Sequence, residues 1–367
     1  MSILVVDDEL TNLMLLERLL ENEGYDVVKA MSGEEAIELM DDPLFIEQLD
    51  VVLLDVEMPG ISGIEATRLI RKRFGLDELP ILIVSGRSNE EDIVDGLNAG
   101  ASDYTTKPIR KTELLARVRN AIGLKQAIDA RKRYEKVLQE DFDLAQKLQQ
   151  SVLSANIEDD EIRIMATYIP SKKLAGDMYA WYRISQNKYG IILFDVMGHG
   201  VSSALITMGM SSILFELVHR IGDPAQVLEE LNQQMSRLFP GDETEIYFTA
   251  VYLYIDLDEM KLSYANAGHP PGLLRMNDQI IPLENTGLPV GMFEDSTYTS
   301  KTIDIVSPGC VYLYTDGFME LYSKGIDEGI HAIQNLIEQQ GPNIHQLIQP
   351  DQSDEADDLC LVTVEIN

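Results

Sequence analysis

Five short β-branched or leucine-rich runs, at residues 3–6, 26–29, 51–54, 81–84 and 102–104, alternate with helical patterns over the first 122 residues. The intervening segments are amphipathic, as at 12–23 and 33–40. A strand–helix–strand rhythm of this kind implies a parallel sheet with helices on both faces. Such sheets bind ligands beyond the carboxyl ends of their strands. The chemistry of the first third should therefore lie where its strands stop.

Five residues fall there. Asp7 and Asp8 follow the first run, Asp55 ends the third, Ser85 ends the fourth and Lys107 follows the fifth. Three carboxylates on one rim can hold Mg²⁺ with waters completing its octahedron. A carboxylate can also accept a phosphoryl group. Lys107 would supply a positive charge, and Ser85 a hydroxyl, to a phosphate built on Asp55.

Residues 124 to about 155 contain neither Pro nor Gly and read as one long helix. Leu124, Ile128, Leu138, Ala145, Leu148 and Val152 recur partly at the spacing of a coiled coil, with Arg131 and Asp141 interrupting it. The pattern fits a dimerisation stalk or a helix packed on its own domains.

Beyond residue 160, alternating strand patterns prevail at 189–194, 248–255, 261–265, 310–314 and 359–364. Strong helical patterns lie at 201–220 and 225–238. Hairpin-paired strands with helices between them suggest an α+β sheet sandwich. At 367 residues the chain is long enough for about two cored domains.

Four acidic clusters punctuate this second part: Gly176-Asp177, Asp195-Val196-Met197-Gly198-His199-Gly200, Tyr314-Thr315-Asp316-Gly317 and Asp357-Asp358. A single Asp beside Gly is an ordinary turn residue. Carboxylates that converge from several strand ends can hold hard divalent cations. Two such ions can activate a water and neutralise phosphoryl oxygens, which is what phosphate-monoester hydrolysis requires. Gly176, Gly198, Gly200 and Gly317 would permit the tight turns.

The net charge of −33 argues against a nucleic-acid partner and against an anionic membrane surface. Cys310 and Cys360 give no disulfide framework, so buried reduced thiols and a cytoplasmic location are expected. No apolar run of about 20 residues is expected to span a bilayer. The first residues show no basic region followed by an apolar core, so no secretory leader is expected.

Over residues 1–122 the chain resembles the receiver domain of bacterial two-component response regulators. The likeness rests on Val5-Val6-Asp7-Asp8-Glu9, Leu54-Asp55-Val56-Glu57-Met58-Pro59, Val84-Ser85-Gly86, and Tyr104 with Lys107-Pro108. The resemblance implies that Asp55 is the phosphoacceptor, with a sensor histidine kinase as partner. It implies Mg²⁺ on Asp8, Asp55 and the Glu57 carbonyl, with Asp7 acting through water. Ser85 and Tyr104 would be a switch pair, and Lys107-Pro108 a cis bond.

From about residue 142 onward the chain resembles SpoIIE/RsbU-type phosphatases of the protein phosphatase 2C-like fold. The motifs are Leu144-Ala145-Gln146-Lys147-Leu148-Gln149, Ala175-Gly176-Asp177-Met178-Tyr179, Phe194 with the 195–200 segment, Asn266-Ala267-Gly268-His269-Pro270-Pro271, Gly287-Leu288-Pro289-Val290-Gly291, the 314–317 segment and Asp357-Asp358. The resemblance makes Asp195 a bridging ligand for two Mn²⁺ or Mg²⁺ ions, with the Val196 carbonyl, Asp177, Asp316 and Asp357 completing the shell. Asp357 is favoured over Asp358. His199 is expected as a turn residue and His269 as a structural one. The family commonly has Asp where Ala180 stands, and a small hydroxyl residue where Met197 and Cys360 stand.

The expected architecture is a doubly wound, five-stranded, flavodoxin-like α/β receiver (1–122), a helical linker (123–158) and an α+β 2C-like β-sandwich flanked by helices (159–367). The expected function is dephosphorylation of phosphoserine or phosphothreonine on a partner protein, under control of Asp55. The resemblance points to a phosphorylated STAS-type anti-sigma-factor antagonist as substrate, and to a homodimer. The competing reading is a non-catalytic phospho-regulated adaptor, with Ala180, Met197 and Cys360 marking decay.

Overall fold

The computed structural model describes the chain except residues 77, 87–89, 199, 240–245, 278, 307, 324, 349–356 and the side chain of residue 90. It divides into two compact units, Met1–Leu138 and Gln139–Asn367.

The first unit opens with β1 (Ser2–Val6), α1 (Leu10–Glu21), β2 (Asp26–Ala30), α2 (Gly33–Leu39) and α3 (Pro43–Gln48). It continues through β3 (Leu49–Asp55), α4 (Gly63–Arg71), β4 (Ile81–Ser85), α5 (Glu90–Asn98) and β5 (Asp103–Thr106). The sheet order is β2-β1-β3-β4-β5 and every pairing is parallel. Alternate residues of the same strands feed opposite faces. Ile3, Val5, Val51 and Leu53 pack on one side with Leu13, Leu16 and Leu20 of α1. Leu4, Val6, Val52 and Leu54 pack on the other with Ala66 and Ile70 of α4. Burial on both faces explains why the strands read as continuous apolar runs.

Helix α6 runs from Lys111 to Ser151 without a break, through Gly123. Its first turns bury Leu114, Leu115, Val118 and Ile122 against the receiver core. That anchorage offsets the roughly 1 kcal/mol that a mid-helix Gly costs. The helix thus begins well before the expected start at 124.

The second unit continues with β6 (Ile157–Glu158), β7 (Ile162–Ile169), β8 (Asp177–Ser185), β9 (Lys188–Val196), α7 (Val201–Arg220), α8 (Pro224–Leu238), β10 (Phe248–Asp256) and β11 (Lys261–Ala267). It then adds β12 (Gly272–Met276), β13 (Gln279–Leu283), β14 (Lys301–Asp304), β15 (Gly309–Tyr314), α9 (Asp316–Glu320), α10 (Ile326–Gln340), a 3₁₀ turn (Gly341–Leu347) and β16 (Leu359–Ile366). Two antiparallel sheets form, ordered β14-β11-β10-β9-β8 and β13-β12-β15-β16-β7-β6. Pro282 sits in β13, an edge strand, where its missing N–H costs no ladder bond.

Strand alternation builds three apolar layers. Tyr179, Trp181, Ile191 and Leu193 face Leu274, Val311, Leu313 and Val362 between the sheets. Met178, Ala180, Ile192 and Phe194 face α7 and α8. Tyr312, Tyr314 and Leu361 face Phe318 of α9 and Ile333 and Ile337 of α10. Cys310 and Cys360 are buried free thiols.

Among the described residues, α7 is the one helix long and apolar enough to cross a membrane by length and composition. Its apolarity has a local cause, because Ala204, Ile206, Met210, Leu214 and Leu217 pack onto the sheet.

His345, in the 3₁₀ turn, ties two strands together. Its Nδ1 lies 2.7 Å from Thr167 Oγ1 and its Nε2 lies 2.8 Å from Thr363 Oγ1. Burial, and then the charge of Arg163, pull its pKa down to about 4. An unfolded His titrates near 6.5, so the unfolded chain binds more protons below that pH. The associated stability is complete above about pH 6.5 and is lost as pH falls towards 4. The full difference at pH 5 is about 2 kcal/mol, and partial solvation of the ring reduces it to about 1 kcal/mol. A His345→Gln chain should therefore show a flatter Tm between pH 7 and pH 5 than wild type. Equal slopes in thermal denaturation would show that the ring is no such proton sink.

Candidate functional site

In the first unit, parallel pairing carries the ends of β1, β3 and β4 and the segment after β5 to one rim. Ligand oxygens of Asp7, Asp8 and Asp55 lie within 4.8 Å of one another. Lys107 Nζ stands between two of them, 2.9 Å from Asp7 Oδ2 and 3.0 Å from Asp55 Oδ2. Asp7 Oδ1 accepts from Glu9 N and Asn12 Nδ2, while Asp55 Oδ1 accepts from Val56 N. Burial pushes the Asp55 carboxyl above its ordinary range, although Lys107 pulls the other way. Burial alone would lower the Lys107 pKa, but its bonds to Asp7 and Asp55 raise it overall.

Ser85 is fully buried at the end of β4, and its carbonyl accepts from Lys107 N at 2.7 Å. The Tyr104 ring is turned inward, 6% exposed, and packs with Val56, Ile83 and Ala101. Glu57 is exposed two residues beyond Asp55. The Lys107-Pro108 peptide is cis.

In the second unit, strand register explains why distant aspartates meet. Asp177 pairs with Asp195 across β8 and β9, and Asp195 pairs with Thr249 across β9 and β10. These three residues form one row. Their neighbours Met178, Val196, Phe248 and Ala250 point to the helix-covered face, so the row points to the other side, into the gap between the sheets. From the opposing sheet, Asp316 follows β15 and Asp357-Asp358 precede β16, and those strands are paired.

Close backbone packing fixes this end of the sandwich. A Cβ at Gly176 would lie 2.6 Å from the Val196 carbonyl oxygen, and one at Gly317 would run into the Asp358 carbonyl. Thr315 locks the junction, accepting from Cys360 N and donating to Asp358 O. The two adjacent acids divide in role. Asp358 is buried and spends both oxygens on protein donors: Ser171 N and Oγ at 2.8 Å, and Gly176 N at 2.7 Å. Asp357 is exposed and lines the cleft with Asp195, Asp316, Gly198, Tyr247 and Thr249.

Electrostatics make this cleft unfavourable without a cation. Asp177 is fully buried, and its Oδ2 has no hydrogen-bond partner. Burial, then the charge of Asp195, hold its carboxyl far above the usual range. Burial raises Asp195 too, followed by Asp316, Asp357 and Asp358. Asp316 is raised by burial and then by Asp357. No Lys or Arg is found among the described lining residues. An all-oxygen donor set with an orphaned buried carboxylate oxygen fits a hard divalent ion. These oxygens are more widely spread than the receiver's, since among the described residues only Asp7, Asp8 and Asp55 fall within the 4.8 Å limit.

The departures from the family pattern lie differently in space. Ala180 faces the helix layer, among Ile192, Phe194 and α7, away from the row of carboxylates. Cys360 is in the inter-sheet core. Met197 is half-exposed and lines the cleft. His199 lies outside the described residues. His269 is fully buried, its Nδ1 2.8 Å from Thr249 Oγ1.

Sequence reasoning overlooked Thr249, which only register places beside Asp195, and gave Thr315 and Gln149 no role. Gln149 is buried near the end of α6. Its Nε2 donates to Ala175 O at 2.7 Å and its Oε1 accepts from Ala175 N at 3.2 Å, one residue before Gly176-Asp177.

Comparison with known proteins agrees with this architecture. The family model described as Response regulator receiver domain matches residues 3–119, and that described as Stage II sporulation protein E (SpoIIE) matches residues 185–367. The chain is 40% identical over 182 residues to phosphoserine phosphatase RsbP of Bacillus subtilis, covering 49% of this chain and 45% of that protein. It thus spans less than half the length of that relative. The SiaA-PP2C domain of Pseudomonas aeruginosa shares the fold, with a TM-score of 0.54 at 20% identity over 64% of this chain and 99% of that one. So does part of the structure of the RsbU and RsbW domains of Rv1364c from Mycobacterium tuberculosis, with a TM-score of 0.51 at 18% identity over 59% of this chain and 63% of that one. With its parallel five-stranded unit and its paired antiparallel sheets, the chain belongs to the response regulators that join a receiver domain to a SpoIIE-type, protein phosphatase 2C-like domain.

Proposed function

We propose that the chain is a response regulator whose output is metal-dependent removal of phosphate from phosphoserine or phosphothreonine on a partner protein. The observation that carries this reading is the orphaned Oδ2 of Asp177 among converging carboxylates, with no cationic side chain among the described lining residues. Asp177, Asp195, Asp316, Asp357 and the Val196 carbonyl would hold two Mn²⁺ or Mg²⁺ ions. When bound, those ions supply charge neutralisation for the phosphoryl oxygens and an acidified water. The chain supplies the rest. The Asp177–Asp195–Thr249 row fixes three side chains on adjacent strands, and Asp358 braces the Gly176 turn from behind. Asp357 is assigned as ligand rather than Asp358 because the latter's oxygens are already committed to Ser171 and Gly176.

In the receiver, Asp55 is the phosphoacceptor for a sensor histidine kinase. Asp7, Asp8, Asp55 and the Glu57 carbonyl would hold Mg²⁺, and Lys107 would neutralise the incoming phosphate. Ser85 and Tyr104 would answer the modification. Leu124, Tyr134, Val137, Leu138, Leu144 and Leu148 are all exposed on α6, which supports a homodimer formed through this helix. The cellular setting is cytoplasmic. The substrate is a phosphorylated STAS-type anti-sigma-factor antagonist, as the resemblance to SpoIIE/RsbU-type phosphatases implies, and the likeness to a phosphoserine phosphatase supports a phosphoserine target. Incubation of candidate phosphorylated antagonists with the protein and Mn²⁺, followed on phosphate-affinity gels, should show a shift to the unphosphorylated band. If none of them shifts, the substrate assignment is wrong.

A further inference from the structure

The Asp195–Asp316 pair has a cavity on each side. The first, about 220 Å³, is the polar cleft already described. The second, about 400 Å³, shares Asp195, Thr249 and Asp316 but is walled by Pro270, Pro271, Met319 and Ile326. The two cavities therefore meet along one row of side chains, one half rich in carboxylates and the other largely apolar.

The apolar half is preformed. Tyr314 Oη donates to Pro271 O at 2.9 Å, Gly268 N donates to Asn285 Oδ1 at 2.9 Å, and Asn266 Oδ1 accepts from His269 N at 2.8 Å. Opposite this loop, Ile326 opens α10 and is 66% exposed, a large apolar side chain at the cavity mouth. Glu320 adds a third carboxylate to those of Asp195 and Asp316, and no basic side chain is among the described lining residues.

We propose that this second cavity is a peptide subsite that takes an apolar side chain next to the phosphorylated serine or threonine. The inference rests on the phosphatase reading, because only a phosphoryl group seated at the carboxylate half brings the flanking residue to the other half. A serine side chain is short, so a phosphate held by ions on Asp195 and Asp316 would draw the peptide backbone close to the shared row. The next side chain then meets Pro270, Pro271, Met319 and Ile326. An acidic flanking residue would meet Glu320 among largely apolar walls, and an apolar one would exchange water for those walls.

The test uses the full chain with Mn²⁺ and two phosphoserine peptides that differ only in carrying Leu or Ala on both sides of the phosphoserine. Wild type should favour the Leu peptide in kcat/KM by about 10-fold or more, the range of an apolar pocket contact. Ile326→Glu should bring that ratio close to one, and Ile326→Leu should restore it. A wild-type ratio near one, or a ratio that Ile326→Glu leaves in place, overturns the subsite while the phosphatase reading stands. If wild type hydrolyses neither peptide nor a small aryl phosphate, the phosphatase reading falls and the subsite falls with it.

Discussion

Replacing Asp195 with Asn should reduce Mn²⁺-dependent hydrolysis of a small aryl phosphate by about 10²–10³-fold or more, the scale of losing one preorganised charged group at a reacting phosphate. Asp195 occupies the middle of the carboxylate row, paired with Asp177 on one side and Thr249 on the other. The same substitution should move stability in the opposite direction. Without ions, Asp195 is a half-buried carboxylate crowded by Asp316, Asp357 and Asp358. Removing its charge relieves that repulsion, so the metal-free variant should melt higher than metal-free wild type. Added Mn²⁺ should raise Tm strongly in wild type and much less in the variant, because stabilisation by a ligand follows its affinity for the folded state. Wild-type turnover in the variant, or an equal Mn²⁺-induced Tm shift, would remove the metal centre from the account.

A second large effect is expected at the other acidic site. Asp55→Asn should abolish incorporation of acid-labile phosphate from a small acyl phosphate, and with it any phosphodonor-dependent change in phosphatase rate or oligomer size. The amide keeps the carboxylate's shape but lacks its nucleophilic charge. Lys107 retains its 2.9 Å contact with Asp7 in the variant, so the rim need not collapse. Phosphate labelling followed by size-exclusion chromatography reads both outcomes. Labelling at the wild-type level in Asp55→Asn would move the phosphoacceptor elsewhere.

Much of this was legible in the residues because strand ends are written locally. Strands β1, β3 and β4 are apolar on both faces, so composition alone betrays them, and the acids that follow β1 and end β3 mark the rim. Helix α7 is bounded by Gly198 and Gly200 before Val201 and by extended Ile221 and Gly222 after Arg220. What escaped depends on contacts distant in sequence. The pairing of β9 with β10 alone brings Thr249 beside Asp195, and nothing near residue 249 announces it. The division of labour between Asp357 and Asp358 is set by Ser171 and Gly176, more than 180 residues earlier in the chain. The expected helix start at 124 follows the run free of Pro and Gly, whereas the burial of Leu114 to Ile122 that carries α6 back to Lys111 is tertiary.

Gln149 grips Ala175 by both its backbone donor and its backbone acceptor. A side-chain amide in that position behaves like a borrowed rung of sheet. It cannot rotate by a fraction of a turn and keep either bond, and each buried group left unmatched costs about 1–3 kcal/mol. The end of the helix is consequently indexed to the loop before Asp177 in the manner of a latch and its keeper. Movement there would be all-or-none, so an intermediate setting of the ligand loop should be nearly unpopulated.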